Sequence, residues 1–313
     1  QIDIQEFKSF LYLISKISKN HHRNQFFFDK IQKIINHLKK EIKQTFSNSE
    51  VFNIFKSNKR ILLLLIDENI LILDSEISSK IARFKEYFSS EINNFNQDGT
   101  KIELPEHYEE NRRKGENESY LCEMIRNDDI VEFTIYCTKN PISVSIKPSI
   151  YETNSFLLYK NPSLIEYSAF YGSIQIFRYL FQNQVDLSPS LWIYAIHGQN
   201  PDIIHLLEEN QIKPDDEFYQ ECLKESIKCH HNDFATYFKI NYISDDTISK
   251  YSVNEFYYGF RFYNFQFIPS ELNEKFYFFY AVEFGYLKLV EYFKNIEGLD
   301  INESLVSNIF CFF

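Results

Sequence analysis

The sequence predicts an all-α chain, an α-solenoid of short helical hairpins preceded by a helical N-terminal domain. Three observations carry that prediction. Residues 163–185 read SLIEYSAFYGSIQIFRYLFQNQV and residues 190–212, 27 positions on, read SLWIYAIHGQNPDIIHLLEENQI; Ser163 and Ser190, Leu164 and Leu191, Tyr167 and Tyr194, Ile176 and Ile203, Leu180 and Leu207, and Asn183 and Asn210 fall in register. A self-similar unit of this length points to stacked hairpins, each burying its apolar face on its neighbours, rather than to one closed core. Second, Phe7, Phe10, Leu11, Ile14 and Ile17, then Phe27, Ile31, Ile34, Ile35 and Leu38, keep the three-to-four spacing of amphipathic helices. Third, a small residue, a glycine and an apolar stretch recur far downstream: Ala169, Gly172, Ile174 and Ile176 are matched by Ala281, Gly285, Leu287 and Leu289.

Pattern divides the chain into three parts. Residues 1–96 form the helical N-terminal domain, and the apolar run Ile61 to Ile66 before Asp67-Glu68 is a fainter version of the hairpin pattern, so diverged hairpins are expected there too. Its second helix carries Lys30, Lys33, Lys39, Lys40 and Lys43. Such a face is most simply solvated, and it also suits a membrane surface, an acidic partner or the chain's own acidic half. Residues 97–118 lose the periodicity, hold Gly99, Pro105 and Gly115, and read as a linker. Residues 119–313 form the repeat array, with copies at 120–136, 163–187, 190–214, 221–243 and 276–302.

The copies stand 44, 27, 31 and 55 residues apart. The first interval implies an inserted loop at 138–162, and the last leaves room for a degenerate copy around Tyr251 to Phe267. Within a copy, Ser168, Ala169, Ala195 and Ala281 allow close packing of the first helices, while Gly172 and Gly285 suit a turn that needs positive φ. His230 and His231 take the positions of Gly172 and Ser173 and read as turn-bracing residues. Asn183-Gln184-Val185-Asp186 and Gly298-Leu299-Asp300-Ile301-Asn302 close second helices. Asp215-Asp216, after Pro214, read as the cap of the next helix.

These phrases resemble ankyrin repeats. The match lies in SLIEYSAFYGSIQIFRYL and FYFFYAVEFGYLKLVEYF followed by LDIN, against an A-x-x-G turn, an apolar second helix and a closing D-x-N. With PSLWIYAIHGQNPDIIHLLEEN and ECLKESIKCHHNDFATYF, the chain is similar to the large protist family of ankyrin-like proteins with a domain of unknown function. The resemblance covers about 115–302 and implies a scaffold for protein partners. It departs from the ankyrin pattern at each opening: Ser163-Leu164-Ile165-Glu166 and Ser190-Leu191-Trp192-Ile193 stand where T-P-L-H is usual, so regular β-turn fingers are not expected. The end, Ile309-Phe310-Cys311-Phe312-Phe313, lacks the polar face of a capping repeat and reads as a truncated array with further repeats to follow. At the other end, Gln1 is not a start residue and Met124 is the only methionine.

Composition narrows the partners. Of 313 residues, 44% are hydrophobic and 25% charged, ordinary for a globular chain, while 32 Phe and 22 Tyr fit an A/T-rich coding bias and carry no function by themselves. The net charge of −11 is uneven: residues 1–93 hold 15 Lys and Arg against 11 Asp and Glu, and the remainder holds 18 against 33. An acidic body repels phosphate backbones, which sets nucleic acid aside as a partner. The longest apolar run stops at Asp67, too short to span a bilayer. Five cysteines and no secretory signal fit a reducing, intracellular setting, the cytoplasm.

The search for chemistry returns little. There is no glycine-rich phosphate loop, no G-x-S-x-G and no H-E-x-x-H. Cys222, Cys229, His230 and His231 are the best metal-like group, but their spacing matches no zinc finger and a turn role is simpler. His21-His22 read as a solvated loop, the paired carboxylates as caps or loops, and Trp192 as core. The expectation is a non-enzymatic interaction scaffold with no cofactor, no metal and no small-molecule substrate, holding a protein through first-helix positions Tyr167, Phe170, Tyr171, Tyr194, His197 and Lys228. The alternative is a membrane-peripheral adaptor using the basic helix at 30–43.

Overall fold

The computed structural model describes residues 3–20, 25–96, 104–140, 145–158, 160–213, 216–242, 255–268 and 274–294. Among them, everything regular is helical except one isolated antiparallel bridge between Ser145 and Ser163. The chain divides into two compact units, residues 10–186 and residues 187–313 together with 1–9. That division cuts the predicted array after its second copy instead of falling at residue 96.

The helices in chain order are α1 (Ile4–Asn20), α2 (Gln25–His37), α3 (Lys39–Thr45), α4 (Asn48–Phe55), α5 (Lys59–Asp67), α6 (Ser75–Ile81), α7 (Ser89–Asn96), α8 (Tyr108–Lys114), α9 (Tyr120–Arg126), α10 (Ile130–Lys139), α11 (Leu164–Tyr171) and α12 (Ile174–Gln182). The expected basic helix is two helices that break at Leu38, and Lys39 is drawn to Glu68 at 3.4 Å. Asn58 starts α5 by accepting the backbone N–H groups of Arg60 and Ile61, after which Lys59 to Leu65 are all buried. A helix buried all round needs neighbours on every side, α4 packs directly on it, and Ile35, Ile42, Phe55, Ile77, Ile81 and Phe88 are among the fully buried residues of the same unit.

One expectation fails in this unit. Residues 104–118 are not a linker: they form α8, whose Arg112 is 2% exposed and binds Glu91, Glu109 and the Tyr87 carbonyl. Its helical period went unseen because an ion-paired arginine, not an apolar residue, faces inward. Residues 97–103 lie outside the described residues. The described residues 145–158 of the insertion are loop, as expected, and fold inward: Ile146, Tyr151, Glu152, Thr153, Asn154 and Leu157 are buried. Thr153 donates from its amide and its hydroxyl to the Gly115 carbonyl, tying the insertion to the end of α8.

The second unit continues with α13 (Leu191–Gly198), α14 (Pro201–Glu209), α15 (Asp216–Lys228), α16 (Asn232–Tyr242), α17 (255–262), α18 (Glu274–Glu283) and α19 (Leu287–Lys294). α17 and the short turn of helix at Phe265–Phe267 supply the degenerate copy expected there. Pro214 and Asp215 lie outside the described residues, as do His21-His22, Asp245-Asp246, the closing Asp300 to Asn302 and the apolar end at 309–313.

Six helix pairs share one turn. Asp128, Gly172, Gln199, His230, Tyr263 and Gly285 each sit between paired helices with φ from 51° to 71°. The two glycines take this conformation without strain, while the other four carry a local cost that packing offsets. The repeated phrase ends alike in both copies but starts differently, since Ser190 makes no side-chain cap. Ser163 and Glu166 form a capping box where an ankyrin unit would open T-P-L-H. At the far end, Gln184 and Gln211 are left-handed, and the amides of Val185 and Ile212 return to the carbonyls of Leu180 and Leu207.

Candidate functional site

The turns are linked by a recurring hydrogen bond. At four of these turns the residue just after the left-handed position donates to the carbonyl three residues before the left-handed position of an earlier hairpin. In the first unit, Ser173 Oγ donates to Ile125 O. In the second, His231 Nδ1 bonds Ile196 O at 2.9 Å, Asn264 Nδ2 donates to Ile227 O at 2.9 Å, and Tyr286 Oη donates to Phe260 O. Because His231 Nδ1 serves a carbonyl, its Nε2 is the acceptor, and Gln199 Nε2 donates to it. Asp128 adds a further tie, accepting the amides of Gln175 and Ile176 at 3.1 and 3.0 Å and so capping α12 from the neighbouring hairpin. The sequence reading of His230-His231 as turn residues fits this geometry.

A second polar series runs between successive first helices. Arg126 on α9 donates to Tyr167 Oη on α11 at 3.2 Å. At the matching positions of the second unit, His197 Nε2 on α13 stands 3.4 Å from Glu225 Oε2 on α15. Glu225 also accepts Lys228 Nζ at 2.9 and 3.0 Å, and Cys229 Sγ lies 3.8 Å from His197 Nδ1. Burial pushes the Glu225 carboxyl up, but the hydrogen bonds and charges of His197 and Lys228 outweigh it and hold the group at about 2. Burial, with the Glu225 charge beside it, raises the Cys229 thiol to about 12.

Five of the six proposed partner-binding residues belong to these two clusters or pack against them, and Tyr194 is buried. Tyr167, Phe170, Tyr194 and His197 are buried, and Tyr171 and Lys228 are half-buried. Tyr171 lies against Tyr167 with ring centres 4.8 Å apart, and Phe170 stacks on Phe156 at 5.7 Å. Four of the six are therefore covered by the chain's own helices and present no open surface. The aromatic and charged types that suggested contact with a partner serve packing between adjacent hairpins. Trp192 is buried as expected and donates to the Ile212 carbonyl at 2.7 Å.

The sequence missed Glu152 and Lys59, which lie deep beside the first cluster. Burial lifts the Glu152 carboxyl to about 7, and burial lowers the Lys59 ammonium to about 8. Lys59 donates to the Ile150 carbonyl at 2.5 Å, while Glu152 Oε2 has no hydrogen-bond partner among the described residues. Nothing in the local sequence marks them, since a lysine at a helix start and a glutamate in a loop are ordinarily solvated.

His197, Glu225 and Cys229 could offer nitrogen, oxygen and sulfur donors within 4.8 Å of one another. Lys228 donates to both carboxylate oxygens and burial keeps the thiol protonated, so the group is already engaged in contacts of its own. The predicted metal-like set is dispersed: Cys222 is buried with its thiol raised by burial, and His230 turns to the Phe262 carbonyl at 3.1 Å. Cys122, Cys137, Cys222 and Cys229 are free thiols. No described helix is long and apolar enough to cross a membrane.

Residues 181–270 match the family model of a domain of unknown function, DUF3447. The match runs from the end of α12 past the fifth left-handed turn and contains the His197–Glu225–Cys229 chain. No curated protein and no solved structure matches at a significant level.

Proposed function

We propose that the chain is a non-enzymatic scaffold whose hairpins stack as an ankyrin-like α-solenoid and hold a protein partner on an exposed face. The observation that carries this reading is the recurring turn bond of Ser173, His231, Asn264 and Tyr286, which fixes neighbouring hairpins in one register. Hairpins held this way form a semi-rigid surface, the feature that repeat proteins use for recognition. The buried first-helix residues are replaced as contact candidates by Tyr120, Val131 and Ile135, which are exposed on the hairpin of α9 and α10. Capture of a partner from native lysate should be saturable and should fall in a Val131→Glu/Ile135→Glu chain with an unchanged circular dichroism spectrum. Capture unaffected by those changes would remove this surface from the reading.

One observation favours a second reading at the membrane surface. On α2, Phe26 is 64% exposed, Phe27 and Ile34 are also exposed, and Lys30 and Lys33 lie among them. Apolar side chains between lysines suit an anionic headgroup layer. Co-sedimentation with phosphatidylserine vesicles, falling with salt and lost in Phe26→Ser/Lys30→Glu, is the outcome expected of it; equal recovery with neutral vesicles argues against it.

A further inference from the structure

A buried cation without a direct countercharge faces a cavity in the unit of residues 10–186. Arg60, on the first turn of α5, is 7% exposed. Its stem packs so closely on Gly115 that a Cβ there would meet Arg60 Cδ at 3.2 Å. Its guanidinium lies 3.8 Å from the centre of the Phe28 ring. One terminal nitrogen donates to Gln25 Oε1 at 2.8 Å, and Nε has no hydrogen-bond partner among the described residues. No carboxylate lies within ion-pair distance of it among the described residues. Glu116 and Asp29 act on it only as charges at a distance, Asp29 by way of Gln25, whose Nε2 donates to Asp29 Oδ1 at 2.7 Å. A desolvated charge left in this state is costly, and a ligand that brings the opposite charge recovers that cost on binding.

The cavity is about 560 Å³, within the range of small-molecule sites, and Arg60 and Arg113 line it along with Phe28, Leu63, Leu64 and Asp67. Asp67 follows Arg60 by two helical turns, so the two lie on one face of α5, roughly 10 Å apart along the axis. Asp67 is exposed, yet partial desolvation raises its carboxyl above the usual range, and Arg113 partly offsets this. Thus one end has the Arg60 guanidinium, whose Nε is sealed in the interior, the middle is apolar, and the far end carries Asp67 and Glu68 with Arg113 beside them. A multiply charged anion would meet Asp67 and Glu68; a molecule with an anionic and a cationic end would not.

We propose that this cavity binds a small zwitterion, a basic amino acid or a short peptide with a basic residue, with its carboxylate on Arg60 and its cation beside Asp67. Carboxylates match the side-on edge of a guanidinium. The proposal is independent of the scaffold reading, because it concerns a single cavity and no partner protein.

Calorimetric titration of the full chain with lysine, arginine and glycyl-lysine, beside inorganic phosphate and glutamate, tests it. Saturable binding by a basic zwitterion is expected, with Arg60→Gln weakening it by at least about tenfold and Asp67→Asn by severalfold. Arg60→Gln could disturb folding, so Gln25→Glu provides the independent check. That change places a carboxylate beside the guanidinium and should raise the melting temperature while abolishing binding. The proposal is overturned if none of the three basic zwitterions binds, if phosphate binds as well as they do and is indifferent to Asp67→Asn, or if Gln25→Glu leaves binding intact.

Discussion

Glu152 and Glu225 are the same residue type at nearly the same depth, 5% and 7% exposed, one in each compact unit. Their carboxyls nevertheless stand at about 7 and about 2. Glu225 has His197 and Lys228 on its oxygens, whereas Glu152 accepts one backbone amide, from Asn154 at 2.8 Å, and feels Lys59 only as a more distant charge. Depth alone therefore does not decide whether an interior acid is ionised; the hydrogen bonds and charges that reach its oxygens do. The second unit carries a matched charge chain, and the first carries a carboxyl poised to lose its proton near neutrality.

The sharpest way to break this contrast is to remove one side of the matched chain. Glu225→Ala strands Lys228 and His197 and should cost about 3 kcal/mol in urea unfolding at pH 7. Because the folded value lies below the ordinary 4.5, the Glu225 contribution is present above that pH and is lost as pH falls toward about 2. The wild-type chain should show this acid-side loss and the variant should not. If Glu225→Ala leaves the midpoint where it was, the chain of His197, Glu225 and Lys228 does not hold the second unit together.

Glu152→Gln should act in the opposite direction. Its folded value lies above 4.5, so its protonated form favours folding at low pH, and that advantage is lost as pH rises through about 7. The variant should gain about 2–3 kcal/mol at pH 8 and little at pH 4. A loss at pH 8 would mean that the interior holds this carboxylate ionised by a route the geometry does not display.

Smaller effects should come from the turn bonds, where the two units are expected to behave alike. Ser173→Ala removes one neutral hydrogen bond and should cost about 1 kcal/mol, and His231→Ala removes two, one of them to an exposed partner, and should cost about 1–2 kcal/mol. A much larger loss for His231→Ala would assign the Gln199–His231–Ile196 relay more weight than its two bonds, which a double change with Gln199→Ala would apportion.

The parts of this fold that were legible in the sequence are those set by local chemistry. Gly172 and Gly285 announced left-handed turns, Asn183-Gln184 a helix stop, and His230-His231 a turn in the same register. The two interior clusters were not legible, because their partners are remote in sequence. His197 reads as an exposed polar residue until Glu225 on α15 meets it, and Glu225 reads as one more surface acid until His197 reaches it. Arg112 hid α8 in the same way: its ties to Tyr87 and Glu91 lie outside any window in which helical period is judged. Position along the helix could be read, but which face would be covered depended on neighbours that only the fold supplies.

The turn bond has one more consequence. Its acceptor is always a backbone carbonyl, while its donor is a serine, a histidine, an asparagine or a tyrosine. Those side chains differ in reach by several ångströms, so the gap each one bridges is written in the identity of a single residue. Spacing between adjacent hairpins is thus tunable one step at a time, and exchanging serine for tyrosine there works as a wedge rather than as the loss of a contact.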